Sequence, residues 1–496
     1  MAKKTTLNFK LRTLLFFTLS TINSGCFKSA DKDKESLYSS PSLKKSEEIA
    51  LSSAFLEIEN KRREKWWEVF ESTDLNILIE EAISCSPTLQ AAEAKIVAAQ
   101  AAAKSIRSKL FPELSANAVD NWSYLSKYGF FRNFFPLPPT DVIPSKFNEL
   151  DLSLNFSYEL DFWGKNRKKF SEALGLAVAQ QMEKIQTELV LCEAVAFTYF
   201  EWQAHTAEKK IYEKWLDAEK KLSFFYSSRF EVGVDNTLPP LAQNQKKGEI
   251  EQKIVELEKK REVDIYFLNS LLGRSPDHGL KLQYRLENLA QKIQIPENLG
   301  LDLLSQRPDL MAQIWKVSAA SDAIGVAKTE FYPNVNLSAL AGLSSLTFSN
   351  FFDWASRTGS LTPAIHLPIF TGGQLRANLN QKVALYNEEV STYNEMLLNA
   401  AKQVAEDITT FTSLETQREI QKNLVKLQTQ SYEVSCLRYE KGVDDFSPVL
   451  HSSEALFSQK INEIYLDHAQ ILSALRIIQS LGGGMQPQKL PPSIKP

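Results

Sequence analysis

Cysteine is scarce in this chain, with four residues in 496, too few for a disulfide framework. Cys85, Cys192 and Cys436 fall in helical stretches, where small buried hydrophobes are expected; Cys26 alone stands apart from them. Beyond the N-terminus there is no apolar run of about 18 residues, so no helix of the processed chain is expected to cross a bilayer. A basic surplus is missing too. Lys and Arg number 57 against 60 Asp and Glu, a net charge of −3, which argues against a nucleic-acid partner. The five histidines, His205, His278, His366, His451 and His468, form no metal-ligand spacing with Cys or carboxylates. With no phosphate loop, nucleophile elbow or Cys-His arrangement either, the chain reads as a non-enzyme without cofactor or metal. Helix breakers are absent from two long tracts. Residues 374–441 hold neither Gly nor Pro, and residues 165–232 hold Gly175 alone. At 1.5 Å per residue each tract predicts a helix about 100 Å long.

Against these tracts stands one run of strict alternation, Leu150 to Trp163. Leu150, Leu152, Leu154, Phe156, Tyr158, Leu160 and Phe162 fall on one side, and Asp151, Ser153, Asn155, Ser157, Glu159 and Asp161 on the other. A strand sends successive side chains to opposite faces, so one face is greasy and the other wet and partly anionic. Soluble strands average about 5–6 residues and tilted membrane strands need about 9–11. Alone, the run fits a half-buried soluble strand as well as a membrane one.

The chain repeats itself. Pro87 and Pro308 open two helical segments that Pro112 and Pro333 close, at a common offset of 221 residues. Lys95 matches Lys316, and Ala98, Ala99 and Ala102 match Ala319, Ala320 and Ala323. Strand material follows each segment, from Glu113 and from Asn334, then loops over about 121–148 and 344–359. A return strand comes next, Leu150–Trp163 in the first half and Leu361–Phe370 in the second. Phe162 aligned with Phe370 gives an offset of 208, at which the two strands disagree in parity, and Pro363 and Pro368 interrupt the second. The long helices carry coiled-coil seams at the same offset. Met182, Ile185, Leu189, Cys192 and Ala196 match Val390, Tyr393, Leu397, Ala400 and Val404. Trp215, Ala218, Leu222 and Phe225 match Leu424, Leu427, Ser431 and Val434 at 209, a one-residue stutter. Each long helix ends in a turn, Arg229-Phe230-Glu231-Val232-Gly233-Val234-Asp235 and Arg438-Tyr439-Glu440-Lys441-Gly442-Val443-Asp444, with Gly suited to the left-handed position and Arg to the negative helix end. Shorter helices then return over about 240–272 and 446–481.

The N-terminus has the form of an export signal. Lys3, Lys4, Lys10 and Arg12 precede the apolar stretch Leu14–Leu19, then Ser24-Gly25-Cys26. This resembles a bacterial lipoprotein signal with Cys26 as the lipidated residue, although Asn23 stands where an apolar residue is usual. Plain cleavage, leaving a free thiol, is the alternative. The expected layout is a signal peptide over 1–25, a lipidated and solvated tether over 26–65, structural repeats over 66–300 and 301–484, and a tail over 485–496.

In combination these motifs resemble an outer-membrane efflux protein of the TolC/OprM type, in its NodT-like lipoprotein subgroup. The features carrying the resemblance are Leu110-Phe111-Pro112 with Phe331-Tyr332-Pro333, Tyr158 to Gly164, Leu367 to Gly373, and the two Arg-x-x-x-Gly-Val turns. On physical grounds four strands cannot close a barrel in lipid, where the smallest barrels need about eight, so several chains must share one. The resemblance implies a homotrimer, mainly α with membrane β, forming a 12-strand β-barrel and a 12-helix α-barrel. It implies a drug or small-molecule duct in the outer membrane, partnered by a periplasmic adaptor and an inner-membrane transporter. Protein export through the same duct, or a periplasmic coiled-coil scaffold that never inserts, are the other readings. By the same resemblance Gly233 and Gly442 mark the periplasmic tip. There Asp235, Asp444 and Asp445 could ring the aperture and favour cations, or be ordinary solvated turn residues. Arg229 and Arg438 would cap the helices or meet the adaptor. The acidic residue usual nine positions past the glycine is replaced by Ala242 and His451, and Glu454 stands where a basic residue is frequent. His451 could make the aperture pH-sensitive, or be a surface residue without a role.

Overall fold

A computed structural model describes residues 34–38, 65–124, 126, 146–233, 236–286 and 307–483. A 3-10 turn, Trp66–Phe70, leads into α1 (Thr73–Cys85) and α2 (Pro87–Ser108). Strands β1 (Glu113–Tyr124) and β2 (Lys146–Leu160) follow, then α3 (Lys165–Glu231) and α4 (Leu238–Leu271). The pattern returns as α5 (Pro308–Thr329), β3 (Asn334–Ser345), β4 (Arg357–His366), α6 (Gln374–Glu440) and α7 (Ser447–Ser480).

The prolines act as expected. Pro87 and Pro308 occupy the first turns of α2 and α5, where a missing N–H costs nothing. Both long helices contain 67 residues and both begin after a glycine with positive φ, Gly164 and Gly373. That pair sets the offset at 209, and the strands follow it. Glu113 pairs with Ser157 as Asn334 pairs with His366. At 209 Leu152 matches Leu361 and Phe156 matches Ile365, so the parity conflict seen at 208 disappears. The second return strand is therefore Arg357–His366 rather than Leu361–Phe370, because the chain leaves the sheet before Pro368. Likewise β2 stops at Leu160, and the first loop is shorter than 121–148 because β1 runs on to Tyr124.

The four strands form one antiparallel sheet in the order β1-β2-β3-β4. Gly342 is required within it: a Cβ there would lie 2.2 Å from the Leu152 carbonyl oxygen. The helical core is divided between the two repeats. In one cluster Trp66, Trp67, Phe70, Leu75 and Ile79 pack on Val195, Tyr199 and Phe200 of α3. In another, Leu310, Met311 and Ile314 of α5 pack on Leu397, Val404 and Ile408 of α6. Two further details differ from expectation. Cys192 is buried but Cys85 is exposed at the end of its helix. Within the supposed solvated tether, residues 34–38 lie against α6, with Leu37 packed on the second cluster.

Candidate functional site: a lipid-facing sheet and a helical tip

Antiparallel partners share a face, so the pairing registers assemble the strand alternation into two surfaces. Leu114, Phe156, Ala339 and Leu361 stand in one row across all four strands, and Ala118, Leu152 and Leu343 in another that ends at Arg357, the first residue of β4. The opposite surface carries rows such as Asn117, Ser153 and Gly342, or Ser115, Asn155, Leu340 and Ser360. Midway along β2 the usual order of burial is inverted: Ser153 is 4% exposed, whereas its neighbours Leu152 and Leu154 are 42% and 52% exposed. A water-soluble sheet would hide the leucines. The strands are 12, 15, 12 and 10 residues long, enough to cross a bilayer when tilted. Trp122 and Tyr124 are exposed towards one end of this band, and Phe111, Phe162 and Trp163 at the helix end, as in the aromatic girdles of membrane barrels. Among the described residues, strands β1 and β4 have no partner on their outer edges.

At the sheet–helix junction Trp163 stacks on Tyr332 at 4.8 Å, and its indole N–H donates to the Pro333 carbonyl at 2.8 Å. Asp161 caps α3, its carboxylate accepting from the backbone N–H groups of Asn166 (3.1 Å) and Arg167 (2.9 Å). The corresponding approach to α6 has Ile369 and Phe370 instead, 93% and 89% exposed.

The tip is built at the far ends of α3 and α6. Gly442 has φ 68°; its N–H donates to the Tyr439 carbonyl and the Val443 N–H to the Arg438 carbonyl, both at 2.9 Å. This is a Schellman closure. Arg438 grips Asp444 through Nε and through Nη2 (2.8 Å to Oδ1). That hydrogen-bonded pairing holds the Asp444 carboxyl below its ordinary range and the guanidinium above its own. Asp445 accepts from the Ser447 N–H at 3.2 Å, at the start of α7. Gly233 closes the first turn at φ 75°, and the Arg229 guanidinium sits 5.6 Å over the Phe225 ring. His451 is exposed on α7, and Glu454 lies 4.0 Å from Lys246 of α4. Cys26 and Asp235 lie outside the described residues.

Sequence reasoning missed the aromatic knot that ties the two hairpins together. The Phe225, Tyr439 and Phe446 rings meet with centroids 4.9 Å apart for Phe225–Phe446 and for Tyr439–Phe446. Beside them is a cavity of about 630 Å³, also lined by Tyr432, Leu222 and Lys221. The available signal was weak: Phe225 ends the first seam, but Phe446 falls in the second turn, outside any heptad. Among the described residues no helix is long and apolar enough to cross a membrane, and no three His, Cys, Asp or Glu side chains gather as a metal site.

An inverted sheet joined to a pair of helical hairpins invites comparison with known proteins. The profile of the outer membrane efflux protein family matches residues 78–274 and 299–483. The chain belongs to that family. It is 26% identical over 424 residues to the multidrug resistance outer membrane protein MdtP of Escherichia coli K12, covering 85% of this chain and 86% of that protein. Among solved structures it resembles the outer membrane protein VceC of Vibrio cholerae with a TM-score of 0.76 and 26% identity, over 85% of this chain and 98% of that one. The fold also matches the CmeC outer membrane channel of Campylobacter jejuni, with a TM-score of 0.79 at 20% identity over 91% and 93% of the two chains. The chain is thus an outer-membrane efflux protein, mainly helical, with channel proteins as its structural neighbours.

Proposed function

We propose that three copies of this chain share one 12-stranded barrel and a 12-helix tube, forming the outer-membrane duct of a tripartite system that expels drugs or other small molecules. A periplasmic adaptor and an inner-membrane transporter complete the path, and Cys26 carries lipid that anchors each chain to the outer membrane. The observation that carries the reading is the sheet: leucines outward, serines inward, and both edge strands unpaired. In lipid an unpaired edge leaves N–H and C=O groups without partners, so neighbouring copies must supply them. The polar rows then line water, and the tip turns at Gly233 and Gly442 narrow the tube until the adaptor engages. At that aperture Asp444 is balanced by Arg438, which leaves Asp445 as the described carboxylate of the second turn able to favour cations, with Asp235 as its counterpart by sequence in the first.

The homologues named for multidrug resistance support small-molecule cargo over protein export. A periplasmic scaffold is disfavoured by the exposed apolar rows of the sheet, which water would not tolerate over such an area. Planar bilayers provide the test. Detergent-purified protein is expected to insert and pass ions in uniform steps. A protein that dissolves without detergent and leaves bilayers insulating would end the proposal.

A further inference from the structure

Three polar side chains of α6, 13 to 20 residues from its start, are arranged to hold an extended peptide. Asn394 is buried, and its side-chain amide meets residues 34–38 as a neighbouring β-strand would. Its Oδ1 accepts from the Tyr38 N–H at 2.7 Å, and its Nδ2 donates to the Ser36 carbonyl at 3.3 Å. Two turns earlier the Asn387 Oδ1 accepts from the Glu35 N–H at 3.0 Å, and between them Ser391 donates to the Glu35 carboxylate at 2.8 Å. The spacing fits: seven helical residues rise about 10.5 Å, and three extended residues span about 10 Å. Lys34 lies 5.5 Å over the Tyr386 ring, so the peptide runs parallel to α6 and its upstream end points towards the sheet. The matching turn of α3 offers Ala179, Glu183 and Gln186, and there Glu183 is engaged by Lys316 at 2.6 Å. Among the described residues each chain therefore has one such ladder.

We infer that Asn387, Ser391 and Asn394 form a docking site for the chain's own N-terminal segment, and that the site acts as a ruler setting how far the Cys26 anchor can reach. Tyr386 is twelve residues, about 18 Å, below the start of α6 at Gln374, beside the exposed aromatic rim of the sheet. Seven residues, and so eight Cα-to-Cα steps, separate Cys26 from Lys34. Fully extended they span at most about 26–29 Å, leaving about 10 Å of slack between the docked strap and the bilayer surface. The ladder thus holds each lipid beside its own third of the barrel. This inference rests on the proposal that Cys26 is lipidated.

Hydrogen exchange on the full chain in lipid nanodiscs tests it, read at the Glu35 and Tyr38 amides. Asn394→Ala is expected to speed exchange of Tyr38 about ten-fold, the loss of one well-placed bond, while α6 stays protected. Deleting Lys28–Asp31 leaves three residues, four Cα-to-Cα steps with about 14 Å of reach, which is too short. In nanodiscs that deletion should unprotect both amides. The same deletion with Cys26→Ala, behind a leader cleaved without lipidation, should protect them again. Amides that stay protected in the shortened, acylated chain would overturn the ruler and leave the anchor standing. An N-terminal peptide mass without acyl chains would overturn the anchor, and the ruler with it.

Discussion

The two repeats share a plan and differ in where it is secured. Helix α3 buries 22 of its 67 residues within the chain, and α6 buries 13 of the same number. The 3-10 turn and α1 contribute to the larger share of α3, since they close over Tyr199 and Phe200; the stretch that the 221-residue offset places opposite them, 287–306, lies outside the described residues. Ser72 joins this belt to α3 through a hydrogen bond of 2.9 Å with the Tyr199 hydroxyl. Helix α3 also begins with the Asp161 cap, whereas α6 follows the bare Ile369-Phe370 and is strapped by residues 34–38. A duplicated unit thus keeps its sheet contribution constant, two strands each, while among the described residues its long helices are held by different devices.

That contrast is breakable in order of effect. Phe200→Ala removes a ring from the centre of the first core and should cost about 3–5 kcal/mol. Ile408→Ala, at the seam position of α6 offset by 208, should cost about 2–3 kcal/mol, because it removes a smaller side chain. Thermal melting of the two variants checks this, and an equal or larger loss at Ile408 would remove the asymmetry. Asp161→Ala should cost about 1 kcal/mol by uncapping α3, with exchange rising in its first turn. The first turn of α6 should be unaffected.

A smaller difference depends on pH. Burial raises Glu193 of α3 to about 7, although Arg476 opposes the shift, and the matching position of α6 is Ala401. Between the ordinary carboxylate range and pH 7 the folded chain binds the extra proton, so stability falls as pH rises through that window. Glu193→Gln should therefore raise the melting temperature at pH 8 more than at pH 5. Equal shifts at both values would remove the claim. Smallest of all is the contrast at the tips. Arg438→Ala releases Asp444 and should change conductance in a way that depends on salt, while Arg229→Ala, whose guanidinium rests on Phe225, should change it less.

Much of this architecture is legible in the residues because the physics is local. Proline marks helix starts, tracts nearly free of Gly and Pro give the long helices, and alternation at Leu150–Leu160 gives the apolar face of the sheet. Errors arose where one residue of register mattered. The Phe162–Phe370 match suggested an offset of 208, yet the glycine pair Gly164 and Gly373 fixes 209 and restores the parity of β4. Tertiary pairings were out of reach. Nothing in the polar string around Glu35 and Ser36 announces that Asn387 and Asn394 lie at the right distance, because both partners are polar and fit solvent equally well. The knot of Phe225, Tyr439 and Phe446 was hidden for a related reason: its members come from three elements, and one sits in a turn.

The sharing of one sheet among copies is tested most directly by joining its open edges. Ala118→Cys on β1 and Leu361→Cys on β4 place thiols on the same apolar face at opposite ends of the four-stranded sheet. Oxidation of membrane-inserted protein should yield species of two and three times the 56.1 kDa chain and nothing larger. A chain that stays at its own mass, or links without limit, would contradict a barrel closed by three.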